Sequence, residues 1–488
     1  MRGFFLALAL CFLLSGSTGQ WPAQLFFNAS QTPQAGMLLW LAAKSGDAEA
    51  QTSLIDYSVK TKQTYWLKKL VALGHPGAAW SLHRLLSKDD KDQTLVQMAA
   101  KGNVPEAQLA FAMTTENASV REKWLLKASA NNYLPAQAAL ADWYLLKGNV
   151  KKARPLLEKT QGAFTQSAFY LGRILIDEGK HKQGLEVLLR AVEEGHPEAE
   201  HWLDLIEKYP QRTVDSIGPV DWPTHKQCLQ RIQLFTTSLA TTERANDIYQ
   251  HFTSDKRLMA LPICVQRPVR IKAETLSCNE NWRKSGRLGC DIRPLSFAVK
   301  TRDLTHAVIF SQSGKANVNN GVMFLDVTDS YDVFVHELAH FAGFIDEYPL
   351  SNGMANRYCN RQEAPNLIFD GELTYAPIET LTRWQNQPEF SGIWQAKTCA
   401  NADIKAYKPT NDITFLEHHD SGKIPPVYIK LWEQQLKDPT ASRPIYMNLF
   451  QSFYRNGQAT QADIWLRKYE RSKQTTIHSN VSLKASSD

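Results

Sequence analysis

A short pattern of small residues recurs along the first half of the chain and constrains its fold more than any other feature. Paired small residues are followed by a glycine and then by another small residue, and Gly46, Gly74 and Gly102 stand 28 residues apart. Later units are slightly longer, and the last is at Gly195. Each unit predicts a helix, a stop at glycine or asparagine, a short turn and a second helix, since glycine adopts the left-handed conformation that ends helices. Isolated helix pairs cannot bury their apolar faces, so the pattern predicts an all-α repeat solenoid over residues 20–210.

The recurring pattern A-A-x-x-G-x-x-x-A resembles the Sel-one-like subclass of tetratricopeptide repeats, over roughly residues 35 to 208. The resemblance implies a helical arm that binds a protein partner. An irregular helical bundle is the alternative that the same pattern allows.

The first 19 residues predict a secretory signal peptide. Arg2 precedes an apolar run at residues 4–14, and small residues follow at 15–19. This order of basic, apolar and small residues is typical of exported proteins, with a signal anchor as the alternative. The run is too short to span a bilayer and no later run is long and apolar enough, so we expect no stable membrane span after cleavage. The predicted location is the periplasm or the extracellular space.

Six of the seven cysteines lie beyond this leader: Cys228, Cys264, Cys278, Cys290, Cys359 and Cys399. An even number of cysteines in an exported chain predicts disulfides. Cys278 and Cys290 could close a short loop, and Cys359 could pair with Cys399, although the sequence leaves the connectivity open. A cysteine-based zinc site is disfavoured because the chain has no C-x-x-C pair.

Composition limits the class of protein. A hydrophobic content of 43% with 21% charged residues favours folded domains, and 488 residues are enough for two or three. The net charge of +6 is small for this length and gives no reason to expect nucleic acid as a partner.

The pattern changes after a linker at residues 209–219. Short runs rich in β-branched and aromatic residues predict strands at 232–235, 263–265, 297–299, 307–310 and 322–327. The predicted organisation is a signal peptide at 1–19, helical repeats at 20–210, an α/β domain with a mixed sheet at 215–435, a C-terminal helical hairpin at 436–474 and a disordered tail at 475–488.

The α/β region contains the pattern H-E-x-x-H at residues 336–340. It lies in an apolar stretch, residues 331–342, that predicts a helix. Residues four apart share a helix face, so His336 and His340 can bind one metal ion while Glu337 reaches a water on it. Two histidines and a carboxylate are costly in an apolar helix unless a partner satisfies them. The pattern predicts one catalytic zinc ion.

The residues that follow extend the pattern to H-E-x-x-H-x-x-G-x-x-D. Gly343 can end the helix and turn the chain, which can bring Asp346 back to the metal as a third ligand. This motif resembles that of metzincin zinc peptidases. The added Glu347-Tyr348 resembles the bacterial IgA-peptidase family, over roughly residues 215 to 435.

The resemblance implies a zinc metalloendopeptidase. The two motif histidines and Asp346 would bind zinc, and Glu337 would activate a zinc-bound water for attack on a protein or peptide substrate. Tyr348 or Tyr407 would stabilise the oxyanion. By the same resemblance, the run at residues 321–327 would be the edge strand on which an extended peptide pairs.

Other residues compete for the third ligand position. Glu347 is adjacent, Glu363 lies at a distance used by other zinc peptidases, and Glu417, His418 and His419 cluster further on. The alternative interpretation of Asp346-Glu347 is a solvated helix end. For His418 and His419 the favoured interpretation is a polar loop.

Metzincins carry a methionine turn beneath the metal, and the comparable segment here covers residues 407–417. Leu416 or Phe415 stands where the methionine would be. That methionine packs under the metal without binding it, so an apolar replacement is compatible with activity.

Two other functions remain open on the sequence. One is a non-catalytic or vestigial peptidase that acts as a protein-binding repeat scaffold, and the other is a zinc hydrolase of another class, such as a deacylase. Glu337 argues against a purely structural zinc, which needs no general base.

Overall fold

The structure is a computed structural model that describes residues 21–29, 32, 35–87, 92–224, 227–359, 364–369, 378–387, 389–402 and 404–474. The predicted signal peptide, the predicted tail at 475–488 and the candidate ligand Glu363 lie outside the described residues. The chain divides into two compact units. One comprises the described residues up to Ile174 together with Lys182–Pro197, and the other comprises Leu175–His181 together with the described residues from Glu198 onward.

Thirteen helices precede the first strand in the described part of the chain. They are α1 (Trp21–Ala29), α2 (Ala35–Lys44), α3 (Ala48–Thr61), α4 (Thr64–Ala72), α5 (Pro76–Leu85), α6 (Gln93–Lys101), α7 (Pro105–Thr114), α8 (Ala118–Ala130), α9 (Leu134–Leu146), α10 (Val150–Thr160), α11 (Thr165–Asp177), α12 (His181–Glu193) and α13 (Ala199–Lys208). Each helix from α1 to α9 contacts the next one along the chain. The predicted helical region is confirmed.

The helix ends show how the repeated small residues act. Gly46 and Gly74 have φ angles of 94° and 84°, the left-handed conformation that the pattern predicts. At Gly102 this prediction is wrong, because its φ is −82° and Asn103 takes the left-handed position with φ 65°. A Cβ on Gly102 would lie 2.2 Å from the Cβ of Pro76, so glycine is needed here for close approach.

The small residues of the pattern lie in the core of the first unit. Ala42, Ala78 and Ala99 have no exposed surface and share one hydrophobic cluster with Leu54 and Leu67. Small side chains allow neighbouring helices to approach closely, which explains their recurrence at equivalent positions.

The second unit contains ten strands and eight further helices within the described residues. The strands are β1 (Gln230–Thr236), β2 (Ile263–Arg270), β3 (Cys278–Asn279), β4 (Gly289–Cys290), β5 (His306–Ser311), β6 (Asn317–Asn319), β7 (Val322–Asp326), β8 (Ile368–Phe369), β9 (Trp394–Ala396) and β10 (Ala406–Lys408). The helices are α14 (Leu239–Ser254), α15 (Ser296–Thr301), α16 (Tyr331–His340), α17 (Asn352–Tyr358), α18 (Ile378–Gln385), α19 (Pro426–Lys437), α20 (Ile445–Arg455) and α21 (Ala459–Gln474).

The main sheet has the strand order β2-β1-β5-β7-β6, and only β6 is antiparallel to its neighbour. The turn between β6 and β7 is Asn320-Gly321, with φ angles of 44° and 77°, as a type I′ hairpin turn requires. The prediction that residues 321–327 form the open edge strand is therefore wrong. β7 is paired on both sides, and β6 forms the edge.

The main sheet is buried on both faces. Alternate residues of a strand point to opposite sides, so one strand can contribute to two hydrophobic clusters. On one face, Val308 and Met323 pack in a cluster with Leu338 of α16. On the other face, Ile309 shares a second cluster with Ile445 of the C-terminal hairpin. The hairpin α20–α21 is therefore part of the same hydrophobic unit as the sheet.

One predicted strand is wrong. Residues 297–299 lie in the helix α15, in which Ala298 and Val299 are buried while Phe297 is 46% exposed. A three-residue apolar run does not distinguish a strand from a buried helix, and Pro294 just before it favours a helical start.

The six cysteines form three disulfides, Cys228–Cys264, Cys278–Cys290 and Cys359–Cys399. The two predicted pairs are confirmed. Three crosslinks are consistent with an exported protein, since disulfides persist in oxidising compartments. None of the described helices combines the length and the apolar character needed to cross a bilayer.

Candidate metal centre

The two motif histidines lie on one face of α16. Ser330 begins this helix, and its hydroxyl accepts a hydrogen bond from the backbone N–H of Val333. His336 and Glu337 are only 6% and 7% exposed, and His340 is partly buried. The helix presents its apolar side to the core through residues such as Leu338 and holds three polar side chains in a confined space.

Three potential ligand atoms converge at this helix. The Nε2 atoms of His336 and His340 are 3.3 Å apart. Oδ1 of Asp346 lies 2.9 Å from the first and 3.1 Å from the second. His336, Glu337 and His340 also offer ligand atoms within 4.8 Å of one another. The structure thus brings together all three predicted metal ligands and the predicted base.

Backbone carbonyls orient both imidazoles. Nδ1 of His336 donates to the carbonyl of Phe415 and Nδ1 of His340 donates to that of Phe344, each at 2.8 Å. Because a carbonyl only accepts hydrogen bonds, each Nδ1 carries a proton, and Nε2 is the ring nitrogen that can bind a metal when the imidazole is neutral. Gly343, with φ 83°, makes the turn that returns the chain after the helix.

The three atoms fit one face of a tetrahedral zinc site. Ligand atoms about 2.0–2.1 Å from zinc are separated by roughly 3.3 Å in that geometry, close to the spacing observed here. Oδ1 of Asp346 is buried and makes no hydrogen bond of normal geometry with any described residue, although both Nε2 atoms are near. A buried carboxylate oxygen that faces two imidazole nitrogens is the environment that a cation completes.

The charges at this cluster are strongly coupled. Burial alone would lower the pKa of His340, but the neighbouring Asp346 outweighs it and raises that pKa to about 9. Burial would raise the pKa of Asp346, but the two histidines hold it well below its usual range. A proton and a metal ion therefore compete for the same nitrogen.

Glu337 is available to act as a base. Burial raises the pKa of its carboxyl group, while the positive charges of His340 and His336 act in the opposite sense. Arg287, on the loop before β4, also lowers it. A raised carboxyl pKa suits a group that first accepts and later returns a proton.

Of the two tyrosines considered as oxyanion donors, Tyr348 is at the cluster. Its ring lies 6.3 Å from that of His336 and nearly parallel to it, and the residue is 37% exposed. Burial, with the charge of Asp346 and a hydrogen bond to it, raises the pKa of Tyr348, so its hydroxyl remains a donor. Tyr407 lies in β10, opposite Ile368 and Gln395.

Glu347 is a buried structural residue, and its interpretation as a solvated helix end is wrong. Its carboxylate is fully buried and accepts hydrogen bonds from Asn366 at 2.9 Å, Thr414 at 2.6 Å and Tyr428 at 2.5 Å. The Nζ atom of Lys408 lies 3.4 Å away. Sequence reasoning missed this network because its members are distant in the chain.

The segment after β10 passes beneath the cluster. The Phe415 and Leu416 side chains are buried, and the Phe415 ring stacks on Trp432 with centroids 6.0 Å apart. The Leu416 carbonyl accepts a hydrogen bond from the backbone N–H of Glu347 at 2.9 Å. Apolar packing therefore occupies the place considered for a methionine.

The remaining candidate ligands have other environments. Glu417 forms ion pairs with Lys397 at 2.8 Å and Lys408 at 2.6 Å. His418 and His419 are exposed, in the turn before α19.

A further carboxyl group near Glu337 was missed by sequence reasoning. Burial, together with the charges of Asp326 and Glu337, raises the pKa of Asp329 to about 6, and His419 opposes this shift. The backbone N–H of Asp326 donates to Asp329 at 2.7 Å, which fixes it just before α16.

Comparison of the chain with models of known protein families finds no match, and no curated protein sequence matches it.

Proposed function

We propose that this chain is an exported zinc-dependent endopeptidase of the metzincin type, related to the bacterial IgA-peptidase branch. The observation that carries the proposal is the convergence of His336 Nε2, His340 Nε2 and Asp346 Oδ1 within 3.3 Å of one another, beside the carboxylate of Glu337. The Gly343 turn and the mixed sheet that precedes α16 also support it.

The proposed chemistry divides between the metal and the chain. A bound zinc ion would polarise the scissile carbonyl and lower the pKa of water. Glu337 takes a proton from the attacking water and delivers it to the leaving amine nitrogen. The Tyr348 hydroxyl donates a hydrogen bond to the carbonyl oxygen as negative charge develops there.

The substrate is proposed to bind as an extended peptide. Among the described residues, β7 is the only strand that pairs with β6, which supports pairing of an added strand along the other edge of β6. Such pairing uses backbone groups and tolerates many substrate sequences.

The experiment that tests this proposal combines metal analysis with hydrolysis. The purified chain should contain about one zinc per molecule and cleave unfolded proteins or peptides. Glu337→Gln should keep the zinc and lose activity by about 100-fold or more, since general bases contribute at least this much. Glu433→Gln, at a partly exposed position of α19, is the matched control and should remain active. Stoichiometric zinc without hydrolysis by the native chain would favour the binding-scaffold alternative.

We also propose that the helical region binds protein partners or substrates. The support is a set of large apolar side chains exposed on its helices: Met37, Leu41, Val59, Tyr65, Leu73 and Met113. Isolated exposed apolar residues are common, so the test is functional. A Tyr65→Ser, Leu73→Ser variant should raise KM for protein substrates and leave cleavage of short peptides unchanged. Equal KM values would contradict this role.

A further inference from the structure

A cavity of about 370 Å³ lies beside β2, the edge strand of the main sheet opposite to β6. Five basic residues line it: Lys208, Arg212, Arg267, Arg270 and Arg302. No acidic residue is among the described residues that line it. So many like charges around one cavity repel each other unless an anion offsets them.

Arg270 is the most unusual of these residues. It is 1% exposed, and its Nε atom donates to the carbonyl of Tyr209 at 3.0 Å. Its two terminal nitrogens are buried and make no hydrogen bond with the described residues. Burial lowers the pKa of this guanidinium, and the charge of Asp177 only partly opposes that effect. A buried guanidinium with free donors is unfavourable unless something satisfies it.

Arg302 is held in place at the same cavity. Its Nε donates to the Gly218 carbonyl at 3.0 Å, and its Nη1 donates to Gln233 at 2.6 Å. Burial lowers the pKa of Arg302, and the charge of Arg212 lowers it further, so these two guanidinium groups are close enough to repel. The structure thus holds Arg302 close to Arg212, and none of the described residues that line the cavity is acidic.

We propose that this cavity binds a small multivalent oxyanion, a molecule with two or more phosphate or carboxylate groups. Guanidinium groups bind such oxygens in bidentate geometry, and several around one cavity favour a ligand with more than one anionic group. The volume falls within the usual range for small-molecule sites, about 300–1,000 Å³. The site does not depend on the proposed peptidase activity, because it lies at the opposite edge of the sheet from β6.

Calorimetric titration of the full chain with pyrophosphate, and separately with citrate, at low ionic strength tests the proposal. The native chain should bind at least one of them saturably with a 1:1 ratio, and the one that binds identifies phosphate or carboxylate chemistry. Arg212→Gln and Arg267→Gln each remove an exposed cavity arginine and should weaken binding about 10-fold, as expected for a lost charge-assisted hydrogen bond.

Lys272→Gln is the matched control, since it removes an exposed positive charge two residues beyond the end of β2 without altering the cavity lining. It should bind as tightly as the native chain. Thermal unfolding without ligand should be the same for all variants, and the ligand should raise the melting temperature of the native chain more than that of Arg267→Gln. Absence of saturable binding of both anions, or equal weakening by Lys272→Gln, would overturn the proposal.

Discussion

Asp346 and Glu347 are adjacent in the chain, yet their carboxylates have opposite surroundings. Oδ1 of Asp346 faces the Nε2 atoms of both motif histidines and has no normal hydrogen bond with the described residues. The Glu347 carboxylate is fully satisfied by side chains such as Thr414 and Tyr428. The first is suited to bind a cation and the second to hold the surrounding segments together.

Asp346→Ala should lose zinc because it removes one of the three proposed ligands. We expect affinity to fall by about 100-fold or more, since even residues that only support ligands contribute 10–100-fold. Metal content after dialysis against a zinc buffer measures this. Asp332→Ala, in the first turn of α16, is the control. Unchanged zinc content in Asp346→Ala would reject it as a ligand.

Glu347→Ala should destabilise the second unit. Its loss leaves buried donors of Asn366, Thr414 and Tyr428 without an acceptor and removes an anion beside Lys408, which together should cost about 3–5 kcal/mol. Denaturant unfolding measures the change. Glu433→Ala breaks an exposed ion pair with Lys437 and should cost less than about 1 kcal/mol. Equal effects of the two substitutions would contradict the structural role.

Elements that are encoded by neighbouring residues were predictable from the sequence, and contacts between distant residues were not. The helix α16 and the Gly343 turn follow from patterns within a few residues of each other. β6 was missed because it has three residues, although Asn320-Gly321 is a hairpin signal that marks its end. The contact between Tyr428 and Glu347 joins residues 81 positions apart, and no local pattern encodes it.

The first residue of β5 should make stability depend on pH. His306 is fully buried, 4.4 Å from the ring of Phe341, and burial, with a smaller effect of Arg231, lowers its pKa from 6.5 to about 3. Above pH 6.5 the imidazole is neutral in both the folded and the unfolded chain. Between pH 6.5 and 3 the unfolded chain binds a proton that the folded chain does not, so folding loses about 1.4 kcal/mol per pH unit.

His306→Gln should remove this dependence. The drop in unfolding free energy between pH 6.5 and 4.5 should be smaller than in the native chain by about 2–3 kcal/mol. Denaturant titrations at both pH values measure it. His201→Gln, an exposed histidine, should behave like the native chain. An unchanged drop in His306→Gln would contradict the prediction.

The Cys359–Cys399 disulfide should support the metal site as well as the fold. The loop that it closes includes Thr398, whose hydroxyl donates to the Asp346 carbonyl at 2.8 Å. A Cys359→Ala, Cys399→Ala variant should lose about 4 kcal/mol of stability, since the closed loop spans 40 residues. Its zinc affinity should also fall. The Cys278→Ala, Cys290→Ala variant, with a separation of 12, should lose about 3 kcal/mol and keep its zinc.

The whole molecule consists of two compact units with separate hydrophobic clusters. The candidate metal centre belongs to the second unit, and the repeated helices form most of the first. The helical region followed from the repeated sequence pattern, and the α/β character of the rest followed from short runs rich in β-branched and aromatic residues. The strand order and the packing of the C-terminal hairpin on the sheet did not, because they depend on contacts between distant segments.

Removal of the proposed zinc ion should affect the two units differently. A ligand that binds only the folded state stabilises the unit that contains its site. Calorimetry should therefore show two unfolding transitions, of which a chelator lowers one and leaves the other unchanged. In Asp346→Ala the same transition should already occur at the lower temperature without chelator. Equal shifts of both transitions would contradict independent units.

The hydrogen bonds from the motif histidines to the carbonyls of Phe344 and Phe415 have a consequence for the ancestry of such sites. A main-chain oxygen is present whatever amino acid occupies the position. The orientation of both imidazoles can therefore outlast extensive divergence at residues 344 and 415. Two distant descendants of one enzyme could keep the same metal geometry while few of the surrounding side chains remain alike. Their common origin would then be detectable in the backbone structure and not in the amino-acid sequence.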